Sequence, residues 1–198
     1  GSRISIPGRG LKEPYLHHDH KTGSRDFVLP GNHEYIPSDT IARPDGGIDW
    51  LRPFDTVDYG YERFIAEIGT GVMGRASYDL ARSFGDWPYP NARSLVITSR
   101  PLDDDAPPTV TRVSADLVKL TAALRASGGK DAWVMGGAKA INGFLIAGAI
   151  DRIDLFTVPV LLGDGIPLFA PGRPELHLKL VSTQTYDKGL ARQSYVRA

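Results

Sequence analysis

Apolar residues recur with two alternating periods, that of helices and that of strands, from about residue 55 onward. Helical spacing, as in Phe64, Ile65 and Ile68, alternates with short apolar runs such as 94–99, which are typical of buried strands. The predicted elements are, in chain order, a helix over 59–68, a strand over 70–73, a helix over 75–84, strands over 94–99 and 109–113, a helix capped by Ser114 and closed by Gly128 and Gly129, a strand over 132–135, a helix over 138–148, a strand over 152–162 and an antiparallel pair over 175–186 and 190–196. This order predicts a three-layer α/β/α sandwich with a mostly parallel central sheet and antiparallel C-terminal strands.

Residues 1–53 have a different texture. They hold six of the fifteen prolines and few clustered aliphatic residues, so they supply little core. Gly1 and Ser2 resemble the remnant of a cleaved expression tag. We therefore expect an irregular N-terminal arm over residues 1–32, followed by a single domain over residues 33–198.

Charge and composition exclude several functional classes. The 23 Lys and Arg residues balance the 23 Asp and Glu residues, whereas a nucleic-acid-binding protein normally has a basic excess. The absence of cysteine excludes thiol catalysis, thiolate zinc sites and disulfides. No apolar run reaches the roughly 18–20 residues that span a bilayer. We expect a soluble, cytoplasmic protein with a small-molecule substrate.

Histidines cluster only in the predicted arm, as His17, His18 and His20. Their spacing does not suit a pair of metal ligands one helical turn apart, so we interpret them as solvated and expect no metal site.

Three predicted strands end in turns that carry glycine, hydroxyl or cationic residues. These turns are Gly74-Arg75-Ala76-Ser77, Thr98-Ser99-Arg100 and Gly136-Gly137-Ala138-Lys139. A helix N-terminus preceded by glycine offers free N–H groups to a phosphate, and the cationic side chains suit a 2′-phosphate. Ordinary strand-to-helix turns with surface charges explain each turn equally well. The pattern G-x-G-x-x-G over 69–74 is an accidental match, because a helix precedes it and Ser94 stands where an acidic residue belongs.

These turns also carry a family resemblance. The chain resembles the dihydrofolate-reductase-like superfamily, and within it the riboflavin-biosynthesis reductase branch in its stand-alone bacterial form. The motifs, which keep their order between residues 41 and 196, are VMGRASY at 72–78, VITSR at 96–100, WVMGG at 133–137, DWL at 49–51, DYGY at 58–61, WPYP at 87–90, IDRI at 150–153 and VPVLLGDGIPLF at 158–169. Fold membership leaves the substrate open, because different functions use the same fold.

The resemblance implies NADPH as the hydride donor. The cofactor residues that it implies are Gly74, Arg75, Ala76 and Ser77 at the phosphates, Thr98, Ser99 and Arg100 at the adenosine end, Gly136, Gly137, Ala138, Lys139, Ala140 and Ile141 at the pyrophosphate, and Gly163, Asp164 and Gly165 near the nicotinamide. The family's first core strand corresponds to residues 35–42, where Pro37 is difficult to place in a central strand.

The resemblance also suggests candidate groups for the end of the pocket where the hydride is transferred. Asp58 precedes the first helix, about where folate reductases hold their pocket carboxylate, and a partly desolvated Asp there would serve as the acid. A helix-capping role explains Asp58 as well, and the weaker candidates Asp39 and Asp164 also suit turns. Trp50, Leu168 and Phe169 are candidate substrate contacts, although Trp50 also suits lid packing.

Three functions remain open. The first is an NADPH-dependent reductase of a small pterin- or pyrimidine-type heterocycle, the second a dihydrofolate reductase, and the third a non-catalytic nucleotide-binding protein with the same fold. The sequence has no deaminase-type zinc motif, so we do not expect the two-domain bifunctional form. Relatives of this branch are commonly dimeric, and the strands over 175–196 form an edge that needs covering, so we expect a homodimer.

Overall fold

A computed structural model describes residues 4–7, 40–83, 85–169, 171–172 and 175–198. For residues 4–7 the description covers the backbone. The elements are β1 (Ile4–Pro7), β2 (Thr40–Ala42), α1 (Tyr61–Glu67), β3 (Ile68–Gly74), α2 (Arg75–Arg82), β4 (Arg93–Ile97), β5 (Val110–Val113), α3 (Leu117–Ser127), β6 (Asp131–Gly136), α4 (Ala138–Ile146), β7 (Arg152–Thr157), β8 (Ile166–Pro167), β9 (Leu178–Thr185) and β10 (Ala191–Arg197), with 3₁₀ turns at Asp49–Phe54 and Asp187–Gly189.

The central sheet has eight strands in the order β5-β4-β3-β6-β1-β7-β10-β9. The strands from β5 to β7 are parallel, and β10 and β9 continue the sheet in antiparallel pairing. This arrangement confirms the predicted fold class. Since β3, β4 and β6 are parallel, their carboxyl ends meet at one edge, where ligands bind in sheets of this kind.

Helices cover both faces of the sheet. Leu124 of α3 and Phe144 of α4 pack in one cluster with Val72 of β3 and Val134 of β6. On the opposite face Tyr78 of α2 packs with Met73, Trp133 and Met135, the neighbours of those strand residues in sequence. Alternate strand side chains therefore enter different layers, as the period of two in a strand requires.

A third cluster holds α1 against the antiparallel side of the sheet. It joins Tyr61 of α1 and residues of the preceding 3₁₀ turn, such as Leu51, to Phe156 of β7 and Leu190 before β10. The start of α1 therefore lies near the carboxyl end of β7.

The position of the first strand corrects an expectation. We expected residues 35–42 to form it and residues 1–32 to be irregular, but β1 lies at Ile4–Pro7, between β6 and β7. Pro7 fits because it is the last residue of the strand, where the loss of its N–H interrupts no further pairing. Thr40–Ala42 pairs instead with β8 in a separate two-stranded sheet. Residues 8–39, with Asp39 and the histidine cluster, lie outside the described residues, and the domain boundary at residue 33 stays a prediction.

The cap of α3 is a second, smaller correction. We expected Ser114 to cap this helix, but its N-cap is Asp116, whose Oδ1 accepts the Lys119 N–H at 3.1 Å. This bond lowers the pKa of the Asp116 carboxyl. Aspartate and serine are both good caps, and the helix begins at Leu117, directly after the aspartate.

Candidate functional site

The three turns predicted as a phosphate site lie side by side at the carboxyl edge of the sheet. Gly74 at the end of β3 pairs in register with Ile97 at the end of β4. On the other side of β3, Met73 pairs with Gly136 at the end of β6. Two of the turns lead directly into α2 and α4, so two helix N-termini point to this edge.

The backbone of these turns leaves room for a ligand. A Cβ atom added to Gly74 would meet nothing within 4 Å. Gly136 and Gly137 have φ angles of 115° and 79°, a region that side chains disfavour, and a Cβ on Gly137 would lie 3.7 Å from Ser77 Oγ. Glycines therefore form an open cradle here, and Ser77 of α2 faces it across the gap.

The first turn of α4 has backbone donors available. The N–H groups of Ala140 and Ile141 donate to Gly137 O at 2.9 and 3.1 Å, whereas those of Ala138 and Lys139 precede the first helical bond. The Ile141 side chain is buried in the core, and that of Lys139 is exposed. Of the predicted pyrophosphate residues, Gly137, Ala138 and Lys139 thus present groups to the edge, and Ile141 serves packing.

The two arginines at this edge, Arg75 and Arg100, are paired with carboxylates. Arg75 contacts Asp79 at 2.5 Å, donates to Pro101 O at 2.6 Å, and reaches Asp103 at 3.5 Å. Arg100 lies 3.6 Å from the other oxygen of Asp79 but keeps 67% of its side chain exposed. Arg75 therefore fixes the loop after β4, and Arg100 remains accessible to an anionic ligand.

The turn after β4 is held by local hydrogen bonds. Thr98 Oγ1 accepts the Arg100 N–H at 3.1 Å, and Ser99 O accepts a bond from Arg112 Nη1 at 3.2 Å. The Tyr78 hydroxyl donates to Asp103 at 3.2 Å, which ties α2 to the same loop. The predicted adenosine end therefore has a fixed shape, with Ser99 and Arg100 exposed.

Asp58 is exposed in the turn before α1. Its Oδ1 accepts the Gly60 N–H at 3.0 Å, the geometry of an Asx turn. We expected a partly desolvated carboxyl, with a cap or first-turn acid on the surface as the alternative. The structure places Asp58 on the surface, two residues before the N-cap, which is Gly60. The acid role of Asp58 stays a prediction.

The neighbouring Tyr59 is the buried titratable group of this region. It is 2% exposed, its ring contacts Phe156 and Tyr186 edge to face, and Tyr59 Oη has no hydrogen-bond partner in the described part of the chain. Burial raises the pKa of the Tyr59 hydroxyl, and the carboxylates of Asp55 and Asp58 raise it further. Sequence reasoning passed over Tyr59, although it follows Asp58 directly.

The predicted substrate contacts lie in different parts of the core. Trp50 is buried in the cluster with Tyr59, and no described residue accepts a bond from its Nε1. Leu168 belongs to the cluster of α3 and α4, and Phe169 packs against that cluster. The structure therefore does not gather the three side chains into one wall.

The loop over 163–165 packs against β2. A Cβ on Gly165 would lie 2.2 Å from Ala42 O, so only glycine allows this approach. Asp164 Oδ1 accepts the Gly165 N–H at 2.7 Å, which explains Asp164 as a turn residue. The loop is thus fixed by packing, and its nearness to the nicotinamide stays a prediction.

A polar cluster that sequence reasoning missed surrounds Asp154 in the middle of β7. This carboxylate is 3% exposed and contacts Arg152 at 2.9 Å and Arg192 at 3.2 Å. Ser194 Oγ also donates to it. The available signal was an aspartate between Ile153 and Leu155 in a strand predicted to be buried.

The described residues contain no group of three or more His, Asp or Glu side chains arranged to hold a metal ion. No helix among them is long and apolar enough to cross a bilayer.

Comparison with known proteins agrees with the resemblance found in the sequence. Residues 87–191 match the family model of the RibD C-terminal domain. The uncharacterized protein YwjB of Bacillus subtilis (strain 168) is 34% identical over 160 residues, which cover 80% of this chain and 91% of YwjB.

Two solved structures share the fold. The "Putative riboflavin biosynthesis protein" of Shewanella sp. PV-4 has a TM-score of 0.74 at 24% identity, over 100% of this chain and 99% of that chain. The diaminohydroxyphosphoribosylaminopyrimidine deaminase/5-amino-6-(5-phosphoribosylamino)uracil reductase of Thermotoga maritima has a TM-score of 0.58 at 16% identity, over 100% of this chain and 57% of that chain.

Proposed function

Because this chain belongs to the family of the RibD C-terminal domain, we propose that it is an NADPH-dependent reductase of a small pterin- or pyrimidine-type heterocycle. The observation that carries the proposal is the row of turns at the carboxyl edge, where Gly74, Ile97 and Gly136 end three adjacent strands. An open glycine cradle between two helix N-termini suits the pyrophosphate of a dinucleotide.

The chain's own groups would hold this cofactor in three places. The N–H groups of Ala138 and Lys139 would meet the pyrophosphate, with Gly137 allowing its close approach. Arg100, exposed beside Ser99, would meet the 2′-phosphate as a planar guanidinium. Arg75 would act indirectly, since its bonds to Asp79 and Pro101 orient the loop that carries Arg100.

The reactive end requires a proton source. NADPH, when bound, supplies a hydride, and reduction of an imine or carbonyl is completed by a proton. Asp58 is the candidate acid, since it lies before α1 at the carboxyl side of β7 and its carboxylate accepts the Gly60 N–H.

A non-catalytic nucleotide-binding protein is the second candidate. The observation that favours it is the exposure of Asp58 in an Asx turn, which requires no catalytic role. This candidate shares the cofactor edge with the reductase and differs only at the reactive end.

NADPH titration followed by turnover assays separates these functions. We expect saturable NADPH binding, and then NADPH oxidation with a ribosylamino-pyrimidine rather than with dihydrofolate. Turnover with dihydrofolate alone would instead support a dihydrofolate reductase, and binding without turnover would support the non-catalytic protein. Absence of binding at millimolar NADPH would exclude both reductases.

The role of Asp58 is tested by Asp58→Asn. We expect kcat to fall by about a hundredfold, the usual contribution of a positioned acid, with NADPH affinity nearly unchanged. Asp45→Asn is the matched control, because Asp45 also accepts a backbone N–H two residues on, from Gly47 at 2.8 Å. An equal loss of binding and turnover, or of neither, would remove Asp58 from the reaction.

A second copy of the chain is the partner that we propose for β9. This outer strand is exposed along all eight residues, and it presents Leu178, Leu180 and Val181 with a single charge, Lys179. An edge with so little protection favours pairing between strands of two copies. A monomeric mass in solution at micromolar concentration would contradict this proposal.

A further inference from the structure

A polar cleft of about 230 Å³ lies beside α1, away from the glycine turns. One face of α1 lines it with Gly60, Arg63, Phe64 and Glu67, and the opposite wall comes from strand residues. The strand residues are Ile68, Asp131, Arg152, Asp154 and Arg192. Because Ile68, Asp131 and Arg152 begin their strands, the cleft extends toward the amino edge of the sheet, opposite the predicted cofactor edge.

The buried Asp154 carboxylate holds two guanidinium groups at the β7 and β10 end of this cleft. Arg152 donates through Nη2 at 3.2 Å, and its Nε lies in ionic contact at 2.9 Å. Arg192 donates through Nε at 3.3 Å and through Nη2 at 3.2 Å. Arg192 also lies 5.9 Å from the centre of the Phe156 ring. Each guanidinium is thereby held through the side that carries Nε and Nη2, before any ligand is present.

The opposite edge of each fork remains available. A guanidinium carries five N–H donors, and Asp154 uses only those on Nε and Nη2, so the Nη1 groups have no acceptor in the described part of the chain. Both arginines are partly accessible, with 34% and 22% of their side chains exposed. Two positive charges against one shared carboxylate leave this end of the cleft cationic.

A third arginine faces the same space from α1. The Arg63 side chain folds back over the helix start, where Nη2 would lie 3.4 Å from a Cβ on Gly60. The acidic residues Glu67, at the end of α1, and Asp131, at the start of β6, also line the cleft. Arg63, Arg152 and Arg192 therefore line the same cleft, and of the three only Arg152 and Arg192 contact Asp154.

We propose that this cleft is a second ligand site, which binds the phosphate group of a small phosphorylated molecule between Arg63, Arg152 and Arg192. Paired guanidinium forks match the geometry of phosphate oxygens, and guanidinium groups lose little hydration on pairing. The site is independent of the proposed NADPH edge and does not require that the protein be a reductase.

Titration of the full chain with inorganic phosphate tests this site, with chloride at matched ionic strength as the salt control. We expect saturable binding by calorimetry and a rise of Tm with phosphate. Arg192→Lys, which keeps the charge but loses the fork, should weaken binding by about tenfold. Arg63→Gln, which leaves the Asp154 contacts intact, should weaken it by a similar factor and decides the question if Arg192→Lys folds poorly.

Two further variants identify where the phosphate binds. Arg125→Gln is the matched control, because Arg125 pairs with Asp151 at 2.7 Å outside the cleft, and it should leave phosphate affinity unchanged. Lys139→Gln tests the glycine turns, the other source of a phosphate site. Loss of binding in Lys139→Gln but not in Arg63→Gln would overturn the proposal, as would a wild-type chain without saturable phosphate binding.

Discussion

The carboxyl edge of the sheet and the cleft beside α1 present polar groups in opposite ways. At the edge the groups belong mainly to the backbone, since Gly74 and Gly137 leave space in front of two helix N-termini. In the cleft they belong to side chains, which a buried carboxylate, Asp154, holds in place.

The difference shows two routes to preorganisation. Backbone donors at the edge are fixed by the turns themselves, at the cost of glycine backbones with positive φ. Arginine donors in the cleft are fixed by a desolvated carboxylate, and that desolvation is offset only while both partners remain. We therefore expect substitutions at the edge to affect ligand binding first and substitutions in the cleft to affect stability first.

Asp154→Ala is the change with the largest expected effect. It leaves Arg152 and Arg192 without their shared acceptor, so we expect a loss of about 2–3 kcal/mol in the free energy of unfolding. This loss is smaller than that for fully buried ion pairs, because both arginines are partly exposed. Denaturant unfolding measures it. Asp151→Ala, which breaks the more exposed pair with Arg125, should cost less than about 1 kcal/mol. Equal losses in the two variants would remove the distinction between the cleft and an ordinary surface.

Gly137→Ala tests the edge in the same way. The φ of 79° costs alanine about 1 kcal/mol of stability, and the new Cβ, 3.7 Å from Ser77 Oγ, narrows the cradle. We expect NADPH affinity to fall by about tenfold, or about 1.4 kcal/mol. Gly129→Ala is the matched control, since its φ is 83° with nothing within 4 Å of a Cβ. If both variants lose similar stability and only Gly137→Ala loses NADPH affinity, the edge acts first on ligand binding, as expected. Unchanged NADPH affinity in Gly137→Ala would contradict the contrast between the edge and the cleft.

Tyr59→Phe has the smallest expected effect, and it tests the segment between the two regions. Burial raises the pKa of the Tyr59 hydroxyl. The contribution of this residue to the free energy of unfolding is therefore present below the ordinary pKa of about 10 and is lost as the pH rises above it. We expect the variant to resist alkaline unfolding better than the wild type. At pH 7 the two should differ by about 1 kcal/mol or less, because the hydroxyl has no partner among the described residues. Parallel stability curves across the alkaline range would show that Tyr59 is not the group that titrates.

The sequence allowed prediction of features that depend on neighbouring residues. The apolar run over 94–97 predicts a strand, and the glycines at 136 and 137 predict a turn, from adjacent residues alone. Their position at the same edge of the sheet follows from these two predictions. Asp154 was missed for the opposite reason. Its partner Arg192 lies on another strand, and only the register of β7 with β10 brings the two together.

The first strand shows the same limit. Ile4–Pro7 is too short to have a clear period, and its place between β6 and β7 is decided by pairing with residues far along the chain. The predicted substrate contacts show the same limit. Trp50 and Leu168 belong to different core clusters, a property that residue type does not encode, and their contact with a substrate stays a prediction.

The central position of β1 has a consequence for how the protein assembles. During synthesis this strand leaves the ribosome long before β6 and β7, and it has no neighbour to pair with until residues 131–157 follow. Without it the sheet consists of two halves, β5-β4-β3-β6 and β7-β10-β9. Closing the sheet therefore requires pairing between residues far apart along the chain, and this long-range pairing is expected to limit the folding rate.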